Sequence, residues 1–160
     1  MMEPMSITVT QGDFLSAIGQ PNSVVVAPTN GVLTPKGLVM GAGAASALAQ
    51  HQPLLRELFA QAIRQVGQEN QGLWKYGFVA VELDGQLYGA FQTKLHFNFP
   101  STPNLLRYSA QRLQAWMDQH PDLTVHLAFP GIGLGGMRPE EVLQILEESI
   151  AGEVYLYRLK

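Results

Sequence analysis

The chain has 160 residues, no cysteine, and a formal net charge of −3. Its hydrophobic share of 46% fits one compact domain over residues 1–160, with a core of its own. The missing thiols exclude disulfides, cysteine-ligated zinc and thiol catalysis and agree with a reducing, cytoplasmic setting, while the acidic balance argues against strong nonspecific nucleic-acid binding.

Ser6–Thr10 alternates and is β-branched, and Ser23–Ala27 is a Val-rich run, so both are predicted strands, the second buried on both faces as in a parallel sheet. Asn30–Lys36 is a loop, and Gly41–Ala45 is a glycine-rich turn whose alanines continue as a helix towards Gln50. Pro53 suits a first helical turn, followed at helical period by Leu54, Leu55, Leu58, Ala62, Ile63 and Val66. Gly77–Leu83 and Gln86–Gln92 flank Asp84-Gly85, which predicts a type I′ hairpin. Ser101-Thr102-Pro103 opens a helix with an apolar stripe from Leu105 to Met117. Leu123–Phe129 is a buried strand running into Gly131–Met137, Arg138-Pro139-Glu140-Glu141 opens a last helix ending near Gly152, and Glu153–Leu159 closes the chain as a strand.

Several classes of chemistry drop out. Met1–Ser6 lacks the basic-then-apolar order of a signal peptide, and no apolar run approaches the roughly 20 residues of a membrane span, so no membrane partner is expected. His51, His96, His120 and His126 are dispersed, with no HxxxH or HxH spacing, and predict no metal site. What remains is a pair of glycine loops, Gly41–Ala45 and Gly131–Met137, each set before a helix. Glycine lets backbone N–H groups approach an anion, and the helix macrodipole favours negative charge there, so two such loops can clamp a diphosphate. Neither is followed by the Gly-Lys-Ser/Thr of a Walker loop, and neither is a GxGxxG after the first strand. Each, read singly, is also compatible with a tight turn.

Four motifs in order make the resemblance specific. Gly12-Asp13-Phe14, Ala27-Pro28-Thr29-Asn30, Met40-Gly41-Ala42-Gly43-Ala44-Ala45 and Gly131-Ile132-Gly133-Leu134-Gly135-Gly136-Met137 together resemble a macrodomain along nearly the whole chain. The likeness is to the branch holding the terminal ADP-ribose glycohydrolase and the antitoxins that remove ADP-ribose from DNA. It implies a three-layer α/β/α fold around a mixed sheet of about six strands, ADP-ribose or an ADP-ribosylated macromolecule as partner, and no cofactor.

The resemblance also implies roles. Asp13 corresponds to the aspartate that accepts from the adenine amino group, with Phe14 beside it; helix or turn capping is the alternative for Asp13. Asn30 matches the last asparagine of the Asn-Ala-Ala-Asn signature, at the distal ribose, although Ala27 replaces the first. Met40, Gly41, Ala42, Gly43 and Ala44 match the first phosphate loop, and Gly131 to Met137 the second. Tyr155 and Tyr157 alternate on the last strand, so one is expected against the helices while the other, Tyr157, approaches the adenine.

Lys94 resembles the lysine that attacks or stabilises the anomeric carbon of the distal ribose, and His96 sits where a proton-transfer group can help it. A lysine acts as a nucleophile only when neutral, which burial or nearby positive potential has to bring about. The aspartate that partners this lysine in the terminal glycohydrolase is replaced by Gly135. Two functions follow: a lysine-dependent ADP-ribosyl glycohydrolase, or a reader that binds ADP-ribose without cleaving it.

Overall fold

The computed structural model describes residues 7–159. Ile7–Gln11 (β1) leads through a 3-10 turn at Phe14–Ala17 into Ser23–Thr29 (β2), and a small ladder joins Leu33–Thr34 (β3) to Gly37–Leu38 (β4). Helices Gly43–His51 (α1) and Leu55–Val66 (α2) precede a short hairpin, Gln68–Asn70 (β5) with Leu73–Lys75 (β6). Then come Phe78–Leu83 (β7), Gln86–Gln92 (β8), Pro103–Asp118 (α3), Thr124–Ala128 (β9), a 3-10 turn at Gly133–Gly135, Pro139–Ser149 (α4) and Val154–Arg158 (β10). The proposed strand start at Ser6 lies outside the described residues.

The main sheet has the order β1-β10-β9-β2-β8-β7. All neighbouring pairs are parallel except β7 with β8, which makes it mixed, as expected. Period-two alternation along β2 sends Val24 and Val26 to one face and Val25 and Ala27 to the other, and all four are fully buried. The first face carries α3 and α4 through Leu106, Leu113, Val142 and Leu146, and the second carries α1 and α2 through Leu48, Leu55, Phe59 and Ile63. A strand covered on both faces has no polar side to offer, which is why this run is so uniformly apolar.

Local signals fixed most of the ends. Asp84 and Gly85 take φ of 53° and 77°, the two left-handed residues of a type I′ turn. Thr102 caps α3 by accepting from the Leu105 N–H at 3.3 Å, with Pro103 in the first turn. Pro53 falls just outside α2 rather than in its first turn, leaving Leu54 at the cap. The β5–β6 hairpin is absent from the sequence reading: its strands are mostly polar and exposed, and alternation gives no signal there.

Close approach explains Gly89 in mid-strand. A Cβ there would lie 2.8 Å from Phe78 and 2.9 Å from Val26, so the missing side chain lets β8 pack its neighbours tightly. Gly89→Ala is expected to destabilise the protein by about 1–3 kcal/mol through overpacking, read as a lower urea midpoint at unchanged m-value.

Candidate functional site

Five strands, β1, β10, β9, β2 and β8, run parallel, so all their C-terminal ends emerge on one edge of the sheet. Open parallel sheets bind ligands in the crevice beyond those ends. A cleft of about 960 Å³ lies there, lined by the segment after each of the five strands. Strand order sets its layout: Asp13, Tyr157 and Arg158 at the β1–β10 end, the Gly131–Gly135 loop after β9, Asn30 and Gly41–Ala45 after β2, and Lys94, Phe97, Asn98 and Ser101 after β8.

Both glycine loops present free donors. The N–H groups of Gly43, Ala44 and Ala45 precede the first intrahelical bond of α1, and no acceptor for them occurs among the described residues. In the second loop the Gly135, Gly136 and Met137 N–H groups close a tight turn onto Ile132, Gly133 and Gly131. Ile132, Gly133 and Leu134 keep theirs without a partner among the described residues. Gly43 and Gly133 have φ of 58° and 64°, a region where a side chain is strained. The basic side chains of Lys94 and Arg158 and, among the described residues, a single carboxylate, Asp13, complete the ionisable lining.

Asp13 is exposed, and its Oδ1 accepts from the Leu15 N–H at 2.9 Å, capping the 3-10 turn. Phe14 beside it is buried and lines the cleft. Asn30 uses its amide to shape the following loop: Nδ2 donates to the Val39 carbonyl and Oδ1 accepts from the Val32 N–H, both at 2.9 Å. Its carbonyl accepts from the Tyr76 hydroxyl at 2.7 Å, so the Thr29 hydroxyl, 2.6 Å from the Tyr76 oxygen, donates to Tyr76. Burial pushes Tyr76 well above its ordinary pKa, which keeps that proton in place.

Lys94 is half-buried on the cleft wall, its Nζ donating to the Phe97 carbonyl at 3.5 Å. Its own carbonyl is pinned by Gln92, a fully buried residue at the end of β8. Gln92 Oε1 accepts from the N–H groups of Tyr76 and Gly77, and Nε2 donates to the carbonyls of Trp74 and Lys94. The β5–β6 hairpin is thereby tied to the lysine wall.

Four proposed site residues do not line the cleft. Met40 is fully buried beneath the first loop, in the α1–α2 core, and Met137 is buried in the other core under Gly131. Gly136 takes the left-handed position that ends the 3-10 turn. His96 is engaged in its own turn, its Nδ1 accepting from the Asn98 N–H at 3.0 Å and its ring against Phe97 and Phe99. Conversely Val39, Asn98, Ser101 and Arg158 line the cleft without having been singled out. Only spatial neighbourhood marks them, since none belongs to a glycine motif.

The expected division between Tyr155 and Tyr157 does not hold. Residues two apart on a strand share a face, and both rings lie against His126. Tyr157 reaches the cleft, and its hydroxyl is hydrogen-bonded to His126 Nδ1 at 2.8 Å. Burial holds His126 below its ordinary pKa of 6.5 despite the opposing pull of Glu153, which favours the neutral ring. Because the unfolded chain protonates first, this histidine's contribution is complete above pH 6.5 and is lost as pH falls below it. Chemical denaturation from pH 8 to 5 is expected to show falling stability, with a shallower fall in His126→Asn.

Gly135 packs on Ser101. The Ser101 N–H donates to the Gly135 carbonyl at 3.0 Å, and a Cβ on Gly135 would stand 2.5 Å from Ser101 Oγ. Gly135→Ala is therefore expected to destabilise by about 1–3 kcal/mol, and Ser101→Gly in the same chain to restore much of the loss. Thermal melts of the single and double variants measure this coupling.

No protein-family model and no curated protein matches the chain. Solved structures do. The macrodomain of Thermus aquaticus DarG superposes with a TM-score of 0.73 at 20% identity, over 95% of this chain and 97% of that one. The macrodomain of Mycobacterium tuberculosis DarG gives 0.72 at 22% identity, over 94% and 96%. Thermosipho africanus DarTG, solved in complex with ADP-ribose, gives 0.65 at 17% identity, over 94% of this chain and 41% of that one. The fold is the one these macrodomains share.

Proposed function

We propose that this macrodomain-fold chain binds ADP-ribose, or the ADP-ribosyl group of a modified macromolecule, and cleaves the bond at the distal ribose with Lys94 at the reacting centre. The observation that carries the reading is the pair of glycine loops with unpartnered N–H donors facing one cleft, Lys94 at one end and Asp13 at the other. A diphosphate between the loops meets the free donors and the positive ends of two helical segments. The nucleobase then lies towards Asp13 and Tyr157, and the terminal sugar towards Lys94. Thermosipho africanus DarTG, of the same fold, has been solved with this ligand.

In the cleavage step the Lys94 amine, in its neutral form, attacks the anomeric carbon, the bond from that carbon to the conjugated group breaks, and the leaving group takes up the proton that the new C–N linkage releases. Water then displaces the lysine, so the net products are ADP-ribose and the protonated acceptor. A reader function is the second reading. It is favoured by the lining itself, whose one carboxylate among the described residues is Asp13, at the opposite end from Lys94.

Calorimetric titration with ADP-ribose, beside release assays on ADP-ribosylated protein and ADP-ribosylated single-stranded DNA, tests both. Asp13→Ala is expected to weaken ADP-ribose binding by about 1–3 kcal/mol, the value of a charge-assisted hydrogen bond. Lys94→Ala is expected to bind the ligand but release none. Binding without release by the wild-type protein assigns the reader function, and absence of binding overturns both readings.

A further inference from the structure

Among the described residues one buried side-chain polar atom lacks a hydrogen-bond partner, and it belongs to Ser101. The other buried hydroxyls are engaged: Ser109 donates to the Gln92 carbonyl at 2.6 Å, Ser23 to those of Ala17 and Gln20, and Thr29 to Tyr76. A buried hydroxyl left alone costs free energy, so its persistence calls for an account.

Position supplies one. Ser101 is 7% exposed and lines the cleft on the wall that carries Lys94. It precedes Thr102, the cap of the 16-residue helix α3, so it stands at the positive end of that helix. Its Oγ also occupies the space beside Gly135, at the end of the loop whose Ile132, Gly133 and Leu134 N–H groups have no partner among the described residues. Three features that favour a negatively charged oxygen thus converge on one spot: a helix N-terminus, a run of free amides and a hydroxyl with no acceptor.

We infer that Ser101 is a further ligand-binding residue, its hydroxyl donating to an oxygen of the phosphate that carries the terminal ribose. This rests on the ADP-ribose reading above. Binding requires Oγ to leave its place beside Gly135 by a change of χ1 to a staggered well that faces the cleft the residue lines. The phosphate next to the terminal ribose is the one concerned, because Ser101 leaves β8 with Lys94, at the sugar end, whereas Asp13 and Tyr157 mark the nucleobase end.

The test uses the whole chain, wild type and Ser101→Ala, titrated with ADP-ribose and with AMP, which lacks the second phosphate. Melting curves without ligand accompany the titrations. The substitution is expected to weaken ADP-ribose binding about tenfold, as for one hydrogen bond to a charged oxygen. AMP binding is expected to stay the same, and the melting temperature of the free protein to hold or rise, since an unsatisfied hydroxyl has been removed. A merely structural serine gives the reverse pattern, a lower melting temperature with ADP-ribose affinity unchanged, and overturns the inference. Equal losses for ADP-ribose and AMP overturn it too, by placing the serine elsewhere. If the wild-type protein fails to bind ADP-ribose, the functional reading falls and this inference with it; failure of the Ser101→Ala arm alone leaves that reading standing.

Discussion

The parallel run of five strands around β2 is the constraint from which the cleft follows. β2 is hydrogen-bonded on both sides, to β9 and β8, and covered by helices on both faces. Parallel neighbours force every connection to cross over a face, so the five C-terminal ends share one edge with nothing but loops between them. Cleft, loops and free amides are consequences of that pairing. The uniform burial of Val24 to Ala27 is what holds the strand at the centre of the sheet.

Two kinds of polar group meet at that edge. Some are fully satisfied and rigid: the Gln92 amide makes four bonds to the main chain, and the Asn30 amide closes the loop that follows β2. Others, the loop amides and the Ser101 hydroxyl, are left open. A buried polar network specifies structure only when complete, whereas open groups within a rigid frame are preorganised for an incoming partner. The contrast separates the scaffold from the binding surface more sharply than residue type does, since an asparagine serves as scaffold here and alanine backbone as surface.

How much was legible in the sequence depended on the physics of each element. Strands buried on both faces, the Asp84-Gly85 turn and the amphipathic helices announce themselves by period and composition, and both glycine loops by their residues. The β5–β6 hairpin did not, because Gln68, Glu69 and Asn70 are exposed and its register is set by tertiary bonds from Gly31 and Gln92. Motif reading placed fourteen of the cleft's lining residues by association, yet put Met40 and Met137 in the site when both serve as core beneath it. Ser101 escaped notice because a serine before a helix reads as part of a cap; only its burial without a partner sets it apart. The two tyrosines of β10 were divided between faces although strand geometry alone places them together.

The hairpin that the sequence hid has one more property. Its root is bonded into the lysine wall, while its tip, Gln71-Gly72, is exposed and held in left-handed conformation away from the cleft. Root and tip therefore differ as lever and handle: a fluorophore on the handle leaves every lining residue untouched, yet rides on the element that positions Lys94. The chain thus carries a built-in attachment point for a reporter that lies outside the cleft lining and is tied to its wall.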